Sequence, residues 1–133
     1  MFASSRHPLS GTVSEAEITH YPFVAPNYWT GENFERGSDH CPLPWEARIA
    51  GDETSAISSA VEVVRRSTVQ LVFAPRVVCR TWVEKGELKE LRVPHWPSVS
   101  KNIYVGVRAD RIKKVFQKEL ISRVKESVEF PVR

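Results

Sequence analysis

No stretch of this chain approaches the roughly 20 consecutive apolar residues that cross a bilayer, so a membrane-spanning helix is excluded and no membrane partner is expected. Cysteine is scarce. Cys41 and Cys79 stand far apart without a Cys-x-x-Cys spacing, which rules out the disulfide framework of a small secreted domain. A reduced, cytoplasmic setting is the expectation. The opening residues, Met1-Phe2-Ala3-Ser4-Ser5-Arg6-His7-Pro8, lack a positive region followed by an apolar run and do not read as a signal peptide. No internal repeat and no low-complexity segment interrupts the chain.

The motifs of common enzyme classes are also missing. His7, His20, His40 and His95 show no H-E-x-x-H spacing, and His40-Cys41 alone is a thin basis for a metal site. There is no G-x-S-x-G elbow and no P-loop. The expectation is a protein that is not an enzyme, with no catalytic residues, no metal and no cofactor. Cys79, beside Val78 and Trp82 on a predicted helix, reads as a buried, inert thiol.

What is there fits one globular domain. Hydrophobic residues make up 41% of the 133 and charged residues 26%, which argues against disorder. Nineteen basic against 16 acidic residues give +3, unevenly spread. Residues 100–133 hold nine basic and four acidic side chains, residues 1–99 ten basic and 12 acidic. A basic tail can mark nucleic-acid binding. Here the basic residues lie mostly along one predicted helix and alternate with Glu119 and Glu126, which reads as a solvated helix face.

Along the chain, Ser14-Glu15-Ala16-Glu17-Ile18 has the pattern of a capped helical turn, with Ser14 and Glu17 as a capping box. Tyr21-Pro22-Phe23-Val24-Ala25-Pro26 reads as a buried strand with Pro22 at its start or on an edge. Residues 27–44 are polar and broken by Gly31, Gly37, Pro42 and Pro44, so a loop with at most one helical turn is expected. Trp45–Ala50 alternates apolar and polar residues as a strand does, and Gly51–Ser55 offers a turn with N-cap residues. Ile57, Ala60, Val61 and Val64 recur at helical spacing. Val69–Ala74 is β-rich and stops at Pro75, which suits the start of a helix over Arg76–Lys85 closed by Gly86. Glu87–Val93 and Asn102–Val107 read as strands on either side of the connector Pro94-His95-Trp96-Pro97. Arg111 to about Val128 reads as a closing helix with Ile112, Val115, Phe116, Leu120 and Val124 as its apolar stripe. Strands alternating with helices argue an α/β fold with a mixed, mainly parallel sheet and flanking helices.

The order of these elements resembles that of LysR-type transcriptional regulators. His7-Pro8-Leu9-Ser10, Val13 to Ile18 and Tyr21-Pro22-Phe23-Val24 are similar to the family's "HPLA" run, short helix and "YPfI" strand. Asp52 to Pro75 resembles its next helix, turn and strand, and Lys85-Gly86-Glu87-Leu88-Lys89-Glu90-Leu91 its "G-x-L-x-x-L" strand entry. Ile103-Tyr104-Val105-Gly106-Val107-Arg108 and the basic helix after it resemble its closing strand and helix. Many members carry a "G-x-G" turn before the hydrophobic strand, where this chain has Thr68 and Gln70. The helix-turn-helix of the family and the first elements of its first lobe have no counterpart here.

The resemblance implies the latter part of an effector-binding domain, a periplasmic-binding-protein-like lobe. Residues 9–93 would form the second lobe, and 94–133 a strand and helix returning toward the first. It implies a small-molecule effector, an anion or a carboxylate, held between lobes by strand ends and helix N-termini. It also implies a homo-oligomer that reaches DNA only through a domain absent from this chain. Asn27, Tyr28, Trp29 and Thr30, after the strand ending at Pro26, and Thr54 and Ser55, at a helix start, are the candidate ligand-binding residues. Phe73 is a further wall, with Val72 beside it. Plain alternatives stand beside each: capping for Thr54 and Ser55, loop packing for Tyr28 and Trp29, core packing for Val72 and Phe73. A periplasmic-type solute-binding domain and a fragment without a ligand are the competing readings of the whole.

Overall fold

In the computed structural model, which describes residues 1–30, 32–35, 39–97 and 114–128, the chain opens with a strand, β1 (Phe2–Ser4). Ser14 then caps the short helix α1 (Glu15–Ile18): its hydroxyl accepts from the Glu17 N–H at 3.2 Å, and the Glu17 carboxylate accepts from the Ser14 N–H at 2.7 Å. That reciprocal bonding is the capping box expected from the sequence. Strand β2 (Pro22–Pro26) follows, with Pro22 as its first residue. A hairpin comes next, β3 (Tyr28–Thr30) with β4 (Asn33–Glu35). After a 3₁₀ turn at Trp45–Ala47 run β5 (Ile49–Thr54), α2 (Ile57–Arg66), β6 (Leu71–Val72), α3 (Arg76–Glu84) and β7 (Leu88–Glu90). Pro75 stands at the N-cap of α3, and Gly86 takes up a φ of +70° just past its end, a conformation glycine adopts without steric cost. The last described element is α4 (Lys114–Val128).

Five strands form one mixed sheet in the order β5-β2-β6-β1-β7. β2 pairs in parallel with β5 and β6, and β1 pairs antiparallel with β6 and β7. Four strands therefore share one direction and β1 alone opposes them. Neighbouring residues on the inner strands point to opposite faces, as pleating requires. Phe2, Val24 and Val72 pack with Ala60, Val61 and Val64 of α2 and Cys79 of α3. Ala3, Phe23 and Leu71 pack on the other face with Val13, Ile18, Leu43, Leu91 and Val93. The chain divides into two compact units, Met1–Val99 and Ser100–Arg133, and the sheet belongs to the first.

The α/β architecture with flanking helices is as expected, while several elements differ. The Phe2–Ser4 strand has no sequence-level signal: it is three residues long and buried on both faces, so no alternation shows. The expected loop over 27–44 contains the β3–β4 hairpin. Trp45–Ala47 is a 3₁₀ turn and not the start of a strand, because the polar residue of the alternating pattern, Arg48, points inward. Its guanidinium pairs with Asp39 at 2.6 Å and donates to the Leu43 carbonyl, with both side chains almost fully buried. The turn expected at Gly51–Ser55 is strand as far as Thr54. The run Val69–Ala74 is strand only at Leu71–Val72, and Glu87–Val93 only at Leu88–Glu90, with Arg92 bridged separately to Thr12. The strand expected at Asn102–Val107 and the start of the closing helix at Arg111 lie outside the described residues.

Candidate site at the strand ends

Parallel pairing brings together the two places that the sequence marked separately. β2 and β5 are adjacent with Pro26 opposite Thr54, and the Asn27 N–H donates to the Thr54 carbonyl at 2.7 Å. Beyond Pro26 the chain enters the hairpin and then Cys41, Leu43 and Trp45, which pack on the Phe23 face of the sheet. Beyond Thr54 it enters α2, on the Val24 face. In open α/β sheets, a crevice at the carboxyl ends of two neighbouring parallel strands whose continuations leave on opposite faces is the usual ligand position, which marks this end of β2 and β5 as the candidate crevice.

The residues around that crevice are polar. Asn27, only 7% exposed, donates its side-chain amide to the Glu53 carboxylate at 2.8 Å. The Thr54 hydroxyl donates to the Ala56 carbonyl at 3.0 Å. Neither Thr54 nor Ser55 caps α2. The N-cap is Ala56, no side chain caps the helix, and Thr54 is the last residue of β5. Thr54 thus ends a strand and does not open the helix, and the capping alternative holds for neither residue. The first-turn amides of α2 thus carry the positive end of the helix dipole without a side-chain acceptor. Glu53 was not anticipated. Its place two residues beyond Gly51 gave no hint that its carboxylate would reach Asn27 of the neighbouring strand.

Tyr28, Trp29 and Thr30 form the first strand of the hairpin, directly after Asn27. Their position in sequence held a usable signal. Tyr-Trp-Thr and Asn-Phe-Glu are separated by two residues beginning with glycine, a hairpin turn pattern. Phe73 is the first residue past β6. It is half-buried on the Phe23 face and meets Trp96 edge-on, with ring centroids 6.0 Å apart. Val72 is fully buried among α2 and α3 residues.

The chain matches no protein family, no curated protein and no solved structure. Its own geometry is therefore what bears on function. Among the described residues no three metal-ligating side chains come together, and no helix is long and apolar enough to cross a membrane. Both thiols are poor nucleophiles. Burial pushes Cys79 up to about 12 and Cys41 to about 11, the latter against the opposing charge of Arg48. Cys79 is fully buried, in keeping with its sequence reading.

The His7 ring, buried against Tyr21, accepts from the Leu9 N–H at 3.1 Å through Nδ1. That fixes the proton on Nε2, which donates to the Val69 carbonyl at 3.3 Å. His7 thus ties the chain before α1 to the turn before β6. At the matching "G-x-G" position, the Gln70 side chain accepts from the Asp52 N–H at 3.0 Å and donates to the Asp52 carboxylate at 2.7 Å. Its amide links the segment entering β6 to β5.

Proposed function

We propose that this chain is a small-molecule effector-binding and oligomerisation module of the LysR type, built on a periplasmic-binding-protein-like lobe. What carries the reading is the crevice between the ends of β2 and β5, with Asn27 and Thr54 on its floor. The hairpin residues Tyr28, Trp29 and Thr30 follow on one side, with Ser55 and the uncapped start of α2 on the other. The ligand is a small polar molecule. Its carboxylate or other anionic group takes the amides of α2's first turn. Operator contact in such a regulator belongs to a separate helix-turn-helix domain. The described helices of this chain are each separated by strands.

A thermal-shift screen with simple carboxylates, aromatic acids and zwitterionic amino acids tests the reading. Stabilisation by a member of these classes is expected, weakened in Thr54→Ala and Tyr28→Phe. Losing one neutral hydrogen bond costs about 0.5–1.5 kcal/mol, a several-fold drop in affinity. No stabilisation by any of the three classes, or titration calorimetry unchanged in both variants, overturns it.

A further inference from the structure

We propose that Trp96 is a releasable latch that couples the crevice at the strand ends to the chain leading toward the C-terminal unit. β7 runs in the same direction as β2, β5 and β6, because both β7 and β6 oppose β1. The chain leaving β7 therefore emerges at the same end of the sheet as Thr54 and Asn27. Leu91 and Val93 are buried there, and Arg92 exchanges backbone bonds with Gly11 and Val13. His95 then takes a φ of +68°, a left-handed conformation that a non-glycine residue adopts only when its surroundings hold it. That turn sends Trp96 back onto the sheet end. Its ring packs edge-on against Phe73, and its indole N–H donates to the Glu15 carboxylate of α1 at 2.9 Å.

Phe73 is the link to the crevice. β6 pairs with β2 with Leu71 opposite Phe23, so two residues further on Phe73 lies level with Ala25, just short of Pro26 and Asn27. The Trp96 ring is only partly buried where it packs on the Phe23 face and against Phe73, and its hydrogen bond to Glu15 is exposed, while the segment before it is anchored by buried side chains and backbone pairing. The latch is the part of the connector that a small shift at the ends of β2 and β6 can release. Pro94 and Pro97 on either side limit the connector to few alternatives, so its response to release is confined.

The proposal rests on the crevice being the ligand site, but its test needs no ligand. Hydrogen–deuterium exchange is measured on the full chain, wild type and Trp96→Ala. Coupling predicts faster exchange at His95 and Trp96 and also at Asn27 and the first turn of α2, with α3 and β1 unchanged. Glu15→Gln, which keeps an acceptor but removes its charge, shifts the same amides by less. Trp96→Phe keeps a ring on Phe73 without the indole N–H, and is expected to fall between; it carries the test where Trp96→Ala does not fold. A change confined to residues 95 and 96 overturns the latch, as does a uniform change across the sheet and α3, and either leaves the ligand reading standing. A failed ligand screen leaves the latch standing.

Discussion

The imidazole of His7 is held neutral by the groups around it. Burial lowers its affinity for a proton and the Lys89 ammonium opposes the charge further, against the Val69 carbonyl, which favours it. Leu9 N–H also needs Nδ1 unprotonated. The folded-state pKa thus lies below the ordinary 6.5, and the unfolded chain takes up the proton first as pH falls. Stability from this residue is complete above about pH 6.5, is lost as pH falls through that value, and levels off once the folded ring is protonated too. Urea midpoints measured from pH 8 to 5 should fall in that window, and His7→Gln should flatten the dependence. Gly51 is a second single-residue constraint. A Cβ there would lie 2.5 Å from Oε1 of Gln70 and 2.9 Å from the Phe23 carbonyl oxygen. The amide can swing away; the β2 backbone cannot. Gly51→Ala should cost about 1–3 kcal/mol in chemical denaturation, as overpacking does. Adding Gln70→Ala should not restore it, because the Phe23 carbonyl remains.

Among the elements, those written by local chemistry were legible and those fixed by distant partners were not. The capping box at Ser14 and Glu17, the apolar spacing of α2, and proline and glycine at the two ends of α3 are local signals, and each element formed where they said. β1 and the pairing of β2 with β5 depend on contacts far along the chain. Asn27 and Thr54 could therefore be chosen as candidates, one for a strand end and one for a supposed helix start, without any sign that they are neighbours. Arg48 shows the same limit in energetic form. Period-2 reading assigns a charged side chain to solvent, yet the side chains of Arg48 and Asp39 are 2% and 1% exposed, with the guanidinium near the rings of Phe23 and Trp45. A buried pair is costly to break on one side only. Arg48→Met should destabilise the first unit by about 3–5 kcal/mol, since Asp39 is then left buried and uncompensated. Arg48→Met with Asp39→Leu should recover much of that loss. A double-mutant cycle in urea measures the difference, and additive losses would show that the pair is not coupled.

For the whole molecule, the open question of chemistry is what covers α4. The sequence places an apolar stripe along it at Ile112, Val115, Phe116, Leu120 and Val124. In the structure Phe116 is 59% exposed, and Ile121, which that stripe did not include, is 52% exposed, while Leu120 and Val124 are half-buried. Ile112 lies outside the described residues. Fully burying one large apolar side chain is worth about 1.5–3 kcal/mol, so covering either exposed residue makes association more favourable. The Arg123–Glu119 ion pair, exposed and one turn apart, adds little to that balance and leaves the apolar residues to decide it. The occupant expected from the LysR reading is a second copy of the chain. Sedimentation velocity at rising protein concentration should show a dimer or larger species. Phe116→Glu and Ile121→Glu should each shift it toward monomer, with the first unit's unfolding midpoint unchanged, because that unit's sheet and core contain neither residue. A monomer at the highest concentration reached, or variants that assemble like the wild type, would remove oligomerisation from the proposed function and leave the crevice at the ends of β2 and β5 to stand alone.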